Sequence, residues 1–246
     1  MTRSIPSSHD TRQNRLLSSL CADIKNRLFP HIELVYLPFG KVLYESGSEL
    51  RHIYFPIDAI VSLLLDLESG TSMEIAVVGN DGLVGYSLFM GGEGPPSRAV
   101  VHSAGTASRL PASRLSDEIS RHDELLTRML RYTQSLITQM AQIAVCNRHH
   151  TIEQQLCRRL LLSLDRLYGN ELTMTQELIA NLLGVRREGI TEAAGKLQKA
   201  GIIEYSRGKI RVLDRARLEQ LSCECYRTIS AESDRLVPEV ARVNLR

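Results

Sequence analysis

Arg186, Arg187 and Glu188, followed at helical spacing by Thr191, Glu192 and Lys196, are residue types that can read the edges of base pairs. An arginine donates two hydrogen bonds to guanine O6 and N7, and a glutamate accepts one from cytosine N4. That chemistry needs a narrow rod that enters a major groove, so these side chains must share the outer face of one short helix. The surrounding sequence predicts one. Thr175 is a good N-cap for a helix with Leu178, Ile179, Leu182 and Leu183 inward. Gly184 stops it, because glycine takes the left-handed conformation without penalty, and Val185 plugs the turn into the core. A second helix follows from about Arg187 to Lys199, with Ile190, Ala193, Ala194 and Leu197 inward and Gly201 at its end. Two short helices across a glycine turn make a helix-turn-helix. Beyond it, Ile202–Ser206 and Lys209–Leu213 flank Arg207-Gly208 and read as a hairpin wing with Arg207 and Lys209 near its tip. Thr175 is placed to bond a phosphate. Double-stranded DNA is the partner these features imply.

Charge is distributed accordingly. Residues 148–217 carry 13 Lys and Arg against 8 Asp and Glu, while the rest of the chain carries 17 against 20. A basic module on an acidic body suits a polyanion.

Glycine marks the other regions. Ten of the sixteen glycines fall between Gly40 and Gly105, separating short apolar runs at Val42–Tyr44, Ile53–Phe55, Ile60–Leu67, Met73–Val78 and Arg98–His102. Regular spacing of such runs predicts a sandwich- or barrel-like β domain. Ahead of it, Thr11–Phe29 has helical spacing at Leu16, Leu17, Leu20, Ile24 and Leu28. The glycine-free stretch from Thr106 to Tyr168 cannot be glycine-punctuated β structure, and a long helix is predicted over about Arg114–Arg148. Along it, Leu126, Met129, Thr133, Leu136, Met140, Ile143 and Asn147 step by threes and fours, the seam of a two-stranded coiled coil, with Thr133 and Asn147 as polar register positions. A second set, Leu125, Leu130, Ile137, Ala141 and Ala144, is expected to pack on the chain's own domain. The expected divisions are a tail and helix at 1–27, a β domain at 28–116, a dimerisation helix at 117–150, a winged helix-turn-helix at 151–213 and a helical extension at 214–246. The fold class is α+β.

This order resembles the Crp/Fnr family of bacterial transcription regulators. The likeness spans about Leu28–Leu213 and is most specific in Thr175–Gly201 with the wing. Phe39–Gly47 looks like the family's G-x-x-(L/I)-(F/Y)-x-x-G strand, and Leu50–Phe55 like the strand that closes its turn. The resemblance implies a jelly-roll-like sensor, a homodimer on palindromic sites, RNA polymerase as a partner, a cytoplasmic location and no enzymatic activity. It also implies that Arg187-Glu188 reads bases, although Glu192 stands where the family often has a basic residue. In nucleotide-binding members a Gly-Glu pair grips the ribose, and an Arg followed by Ser or Thr holds the cyclic phosphate. The corresponding pocket here is Gly85, Tyr86, Ser97, Arg98 and Ala99. Arg98 keeps the anion-binding guanidinium, but Tyr86 replaces the glutamate and Ala99 the hydroxyl residue. Glu93 could supply a carboxylate from the neighbouring loop. Cyclic AMP, another small-molecule effector and no effector all remain open, and no cofactor is assigned. A ligand-binding or protein-interaction module that has lost DNA binding is the alternative.

Other chemistry finds little support. The sensor region has only Cys21, too few thiols for an iron–sulfur cluster. His52, His102 and His122 are isolated candidates for a haem ligand. Cys223 and Cys225 fall in a helical tail over about Arg215–Leu236, where residues two apart point to different sides, and His149-His150 reads as a helix-end hinge. No metal site, catalytic constellation or membrane span is expected, since no apolar run approaches ~20 residues.

Overall fold

The computed structural model describes residues 14–92, 94–121, 123–167 and 169–237. Glu93, His122 and the start of the first predicted helix lie outside them. The chain opens with α1 (Arg15–Ser18) and α2 (Ala22–Leu28). Asn14 caps α1, its Oδ1 accepting from Leu17 N at 3.1 Å. Seven strands follow: β1 (Glu33–Leu37), β2 (Val42–Tyr44), β3 (His52–Pro56), β4 (Ile60–Asp66), β5 (Ser72–Val78), β6 (Arg98–Ser103) and β7 (Gly105–Pro111). They form two antiparallel sheets, ordered β1-β7-β3 and β2-β6-β4-β5. Tyr54, Val61, Leu63, Ala76, Ala99, Val101 and Ala107 fill the space between the sheets. Alternate residues of the smaller sheet, Ile53, Phe55 and Leu110, face the other way and meet α1, α2 and the helices after the roll.

Strand β7, which is not among the five predicted runs, lies within the expected β domain. Its residues have modest strand propensity, and pairing with both β1 and β3 decides their conformation. The long helix is also shorter than predicted: α3 (Ala112–Ile119) and α4 (Asp123–His149) are separate elements. Asp123 and Glu124 at the start of α4 and Arg148 and His149 at its end oppose the helix dipole.

The two faces of α4 are the reverse of the sequence expectation. Met129, Thr133, Leu136 and Ile143 are buried within the protomer, where α4 packs on the C-terminal helix 224–236 as well as on the roll, and Leu126, Met140 and Asn147 are half-buried. Leu130, Ile137, Ala141 and Ala144, expected inside, are exposed, and Leu125 alone of that set is buried. A heptad shows that a stripe is covered, not by what, and a flat sheet satisfies the pattern as well as a second helix does. Gln139 fixes the register on the roll: its Oε1 accepts from Val77 N at 3.0 Å and its Nε2 donates to Val77 O at 3.2 Å.

After α4 the chain bends at His150 and enters α5 (Ile152–Leu164) through a capping box, in which Thr151 accepts from Gln154 N and Gln154 Oε1 accepts from Thr151 N. Then come β8 (Glu171–Thr173), α6 (Gln176–Leu183), α7 (Arg187–Lys199), β9 (Ile203–Ser206) and β10 (Lys209–Val212) around one core that includes Leu160, Leu183, Ile190, Leu197 and Ile210. The predicted single tail helix is two, α8 (Arg215–Leu221) and α9 (Glu224–Leu236). Among the described residues no helix is long and apolar enough to cross a membrane.

Candidate nucleic-acid interface

Helix α6 begins as expected, with Thr175 Oγ1 accepting from Leu178 N at 3.1 Å. Gly184 ends it at φ 66°, and Val185 N donates back to Ala180 O at 3.0 Å. The turn aims α7 so that Ile190, Ala193, Ala194 and Leu197 are buried, while Arg186, Arg187, Glu188, Thr191, Glu192 and Lys196 are exposed. All six predicted side chains are therefore open to solvent.

Their electrostatics differ. Lys196 Nζ lies 2.9 Å from Glu192 Oε1, and this contact lowers the glutamate's pKa and raises the lysine's. Arg187 Nε sits 4.0 Å from Glu177 Oε2, both well exposed, a contact that exposure and salt make weak. Arg186, Arg207 and Lys209 have no ion-pair partner among the described residues. Thr191 Oγ1 donates to Gln176 Oε1 at 2.7 Å, tying α7 to the start of α6.

The wing is a three-stranded sheet, ordered β8-β10-β9. Arg207 at φ 49° and Gly208 at φ 77° form its tip, the left-handed pair that a tight hairpin requires. Strand β8, which the sequence reading missed, draws the wing onto the helices. Met174 N donates to Gly208 O at 2.8 Å, and Tyr205 Oη donates to Met174 O at 2.9 Å. Thr175, Arg207 and Lys209 thus border the same surface as α7. Alternating exposure in Glu171-Leu172-Thr173 is the signal that could have found this strand.

Two buried ion pairs hold the module against the roll. Arg159 of α5 meets Glu74 of β5 at 2.7 Å, with 1% and 3% of their side chains exposed. Ser62 Oγ donates to Glu74, so His102 Nδ1, 2.6 Å away, must donate to Ser62. Burial, then Arg159 and Arg98, push the His102 pKa down to about 4. Arg166 forms the second pair with Asp81 at 2.6 Å. A polar cleft of about 210 Å³ beside it has further charges matched in pairs, Arg215 with Asp165 and Arg15 with Asp234.

The predicted ligand pocket is differently disposed. Gly85, at φ 112°, leads into a 3₁₀ turn over Tyr86–Phe89. Tyr86 packs against the cores on both faces of the smaller sheet, and burial raises its pKa. Ser97 and Ala99 are fully buried, with Ala99 opposite Tyr44 and Leu63. Arg98 is engaged: its Nη2 lies 3.0 Å from Asp66 Oδ1 and 3.2 Å from Ser72 Oγ, and Glu45 is 4.0 Å from its Nε. Its Nη2 would meet a phosphate only in competition with Asp66.

Residues 154–221 match the Crp-like helix-turn-helix domain. The chain is 22% identical over 218 residues to the global nitrogen regulator of Synechocystis, covering 85% of this chain and 96% of that protein. Among solved structures, a Crp/Fnr-family regulator from Eubacterium rectale aligns with a TM-score of 0.65 at 18% identity, covering 84% of this chain and 96% of that one. FixK2 of Bradyrhizobium japonicum aligns with a TM-score of 0.65 at 15% identity, over 78% and 98%. At these identities the structural likenesses establish the fold.

Proposed function

From a Crp-like helix-turn-helix domain carried on a Crp/Fnr fold, we propose that the chain regulates transcription by binding a palindromic operator as a homodimer. The observation that carries this reading is the single open surface formed by Arg186, Arg187, Glu188 and Thr191 of α7 with Arg207 and Lys209 of the wing. Arg187 and Glu188 read bases, while Thr175 and the wing cations hold phosphates. The dimer forms through the exposed stripe Leu130, Ile137, Ala141 and Ala144, edged by Leu126. Leu130, Ile137 and Ala144 recur every seven residues, with Ala141 between the last two, the heptad repeat of a helix pair, and dimerisation sets the two recognition helices roughly 34 Å apart. RNA polymerase is the partner recruited or blocked. The roll takes an effector other than cyclic AMP, because Arg98 is held by Asp66 and no glutamate stands at Tyr86.

The test is a binding titration on the DNA upstream of the chain's own gene, with non-specific competitor, alongside sedimentation. The expected result is a sequence-selective complex containing two chains. Ile137→Asp should give a folded monomer with at least tenfold weaker operator binding. A chain that shows no selective shift, or that stays single beside DNA, overturns the proposal.

A further inference from the structure

Beyond the DNA-reading surface, four side chains converge where α4 ends and α9 begins. Cys146 lies in the last turn but one of α4, and His150 follows four residues later on the same face. Cys223 is the N-cap of α9 and Cys225 lies in its first turn. Because Cys223 precedes the helix, the side-to-side opposition expected of two cysteines within one helix does not arise. The three cysteines are 0–2% exposed and form a cluster of their own.

The ligand atoms of all four residues lie within 4.8 Å of one another. Cys146 Sγ and Cys223 Sγ are 3.5 Å apart, and Cys225 Sγ and His150 Nδ1 are 3.6 Å apart. A disulfide requires about 2.05 Å, so the thiols are not bonded to each other. With metal–sulfur bonds of about 2.3 Å and metal–nitrogen bonds of about 2.0 Å, a tetrahedral ion sets S···S edges near 3.8 Å and S···N edges near 3.6 Å. The two closest contacts, 3.5 and 3.6 Å, are near those edges, and the remaining separations, none above 4.8 Å, leave room for one ion at the centre. His150 is also oriented as a ligand. Its Nε2 lies 3.3 Å from Glu224 Oε2, which leaves Nδ1 facing the sulfurs, the arrangement in which a carboxylate steadies a metal-binding imidazole.

We propose that Cys146, His150, Cys223 and Cys225 form a Cys3His site for one zinc-type cation, which staples α9 to the end of α4. Binding deprotonates the three thiols and passes their protons to solvent. Neither Cys146 nor the α9 cysteines fall within residues 154–221, so the site is additional to the Crp-like module.

The test uses the full chain, reduced and stripped with chelator, then titrated with Co2+ and back-titrated with Zn2+. One equivalent of Co2+ per chain should give thiolate-to-metal charge-transfer bands with the intense visible bands of a tetrahedral ion, and Zn2+ should abolish both. Cys225→Ser and His150→Ala should each weaken the site, whereas Cys21→Ser and Cys157→Ser should leave it intact. Glu224→Gln should lower Zn2+ affinity about 10–100-fold while keeping the tetrahedral spectrum, a readout independent of whether Cys225→Ser folds. The proposal is overturned if the reduced chain binds no Co2+, shows weak octahedral bands, or loses its site on removal of Cys21 or Cys157.

Discussion

The recognition helix and the β-roll each present an arginine where a ligand anion could sit, and the two arginines have different fates. Arg187 projects from α7 into solvent with one carboxylate 4.0 Å away. Arg98 lies along β6 with Asp66, Ser72 and Glu45 around it. A surface motif depends on a few neighbours close in sequence. A concave pocket depends on what other strands bring to it, so the same residue type carries different meaning in the two places.

The largest expected effect concerns the joint between these regions. Glu74→Ala leaves Arg159 charged and buried without a partner, and should cost about 3–5 kcal/mol in urea denaturation. Replacing both residues by methionine should recover most of that loss. If the single variant is as stable as the parent, the pair is not what joins roll to module.

A second test uses pH. His102 stays neutral in the folded chain down to about pH 4, whereas the unfolded chain takes up the proton near 6.5. Its contribution is fully present above pH 6.5 and is lost as pH falls towards 4, a change on the order of 3 kcal/mol. The fall in stability over that window should be shallower for His102→Asn than for the parent. Parallel curves would show that the imidazole titrates alike in both states.

The smaller effects divide the DNA-reading surface itself. Arg187→Ala should cost about 1–3 kcal/mol at the cognate operator and relax the base preference at one position. Arg207→Ala should weaken all sequences alike and reduce the salt slope by about 1. An equal loss on every sequence for Arg187→Ala would make it a backbone contact and collapse the distinction between helix and wing.

What was legible in the sequence follows the same division. Thr175, Gly184, Gly201 and Arg207-Gly208 punctuate the module through their own backbone preferences, and the helices and wing turn fall where those residues place them. Five glycine-bounded strands of the roll were equally readable. Strands β1, β7 and β8 were not, because pairing partners rather than composition make them strands. The break at Ser120-Arg121 has no glycine or proline to announce it. The heptad on α4 revealed a stripe but not its covering, and the cysteines became neighbours only when Ser222 separated α8 from α9.

If the roll takes an effector, as proposed, the Glu74–Arg159 contact sets a threshold for its action. Swinging the DNA-reading head away from the roll pulls apart two dehydrated opposite charges, so an inducer must prefer the opened form by more than that separation costs. Turning the population from 1:99 to 99:1 takes about 5.5 kcal/mol of such preference. However tightly it binds, a ligand that grips both forms alike would leave this contact closed.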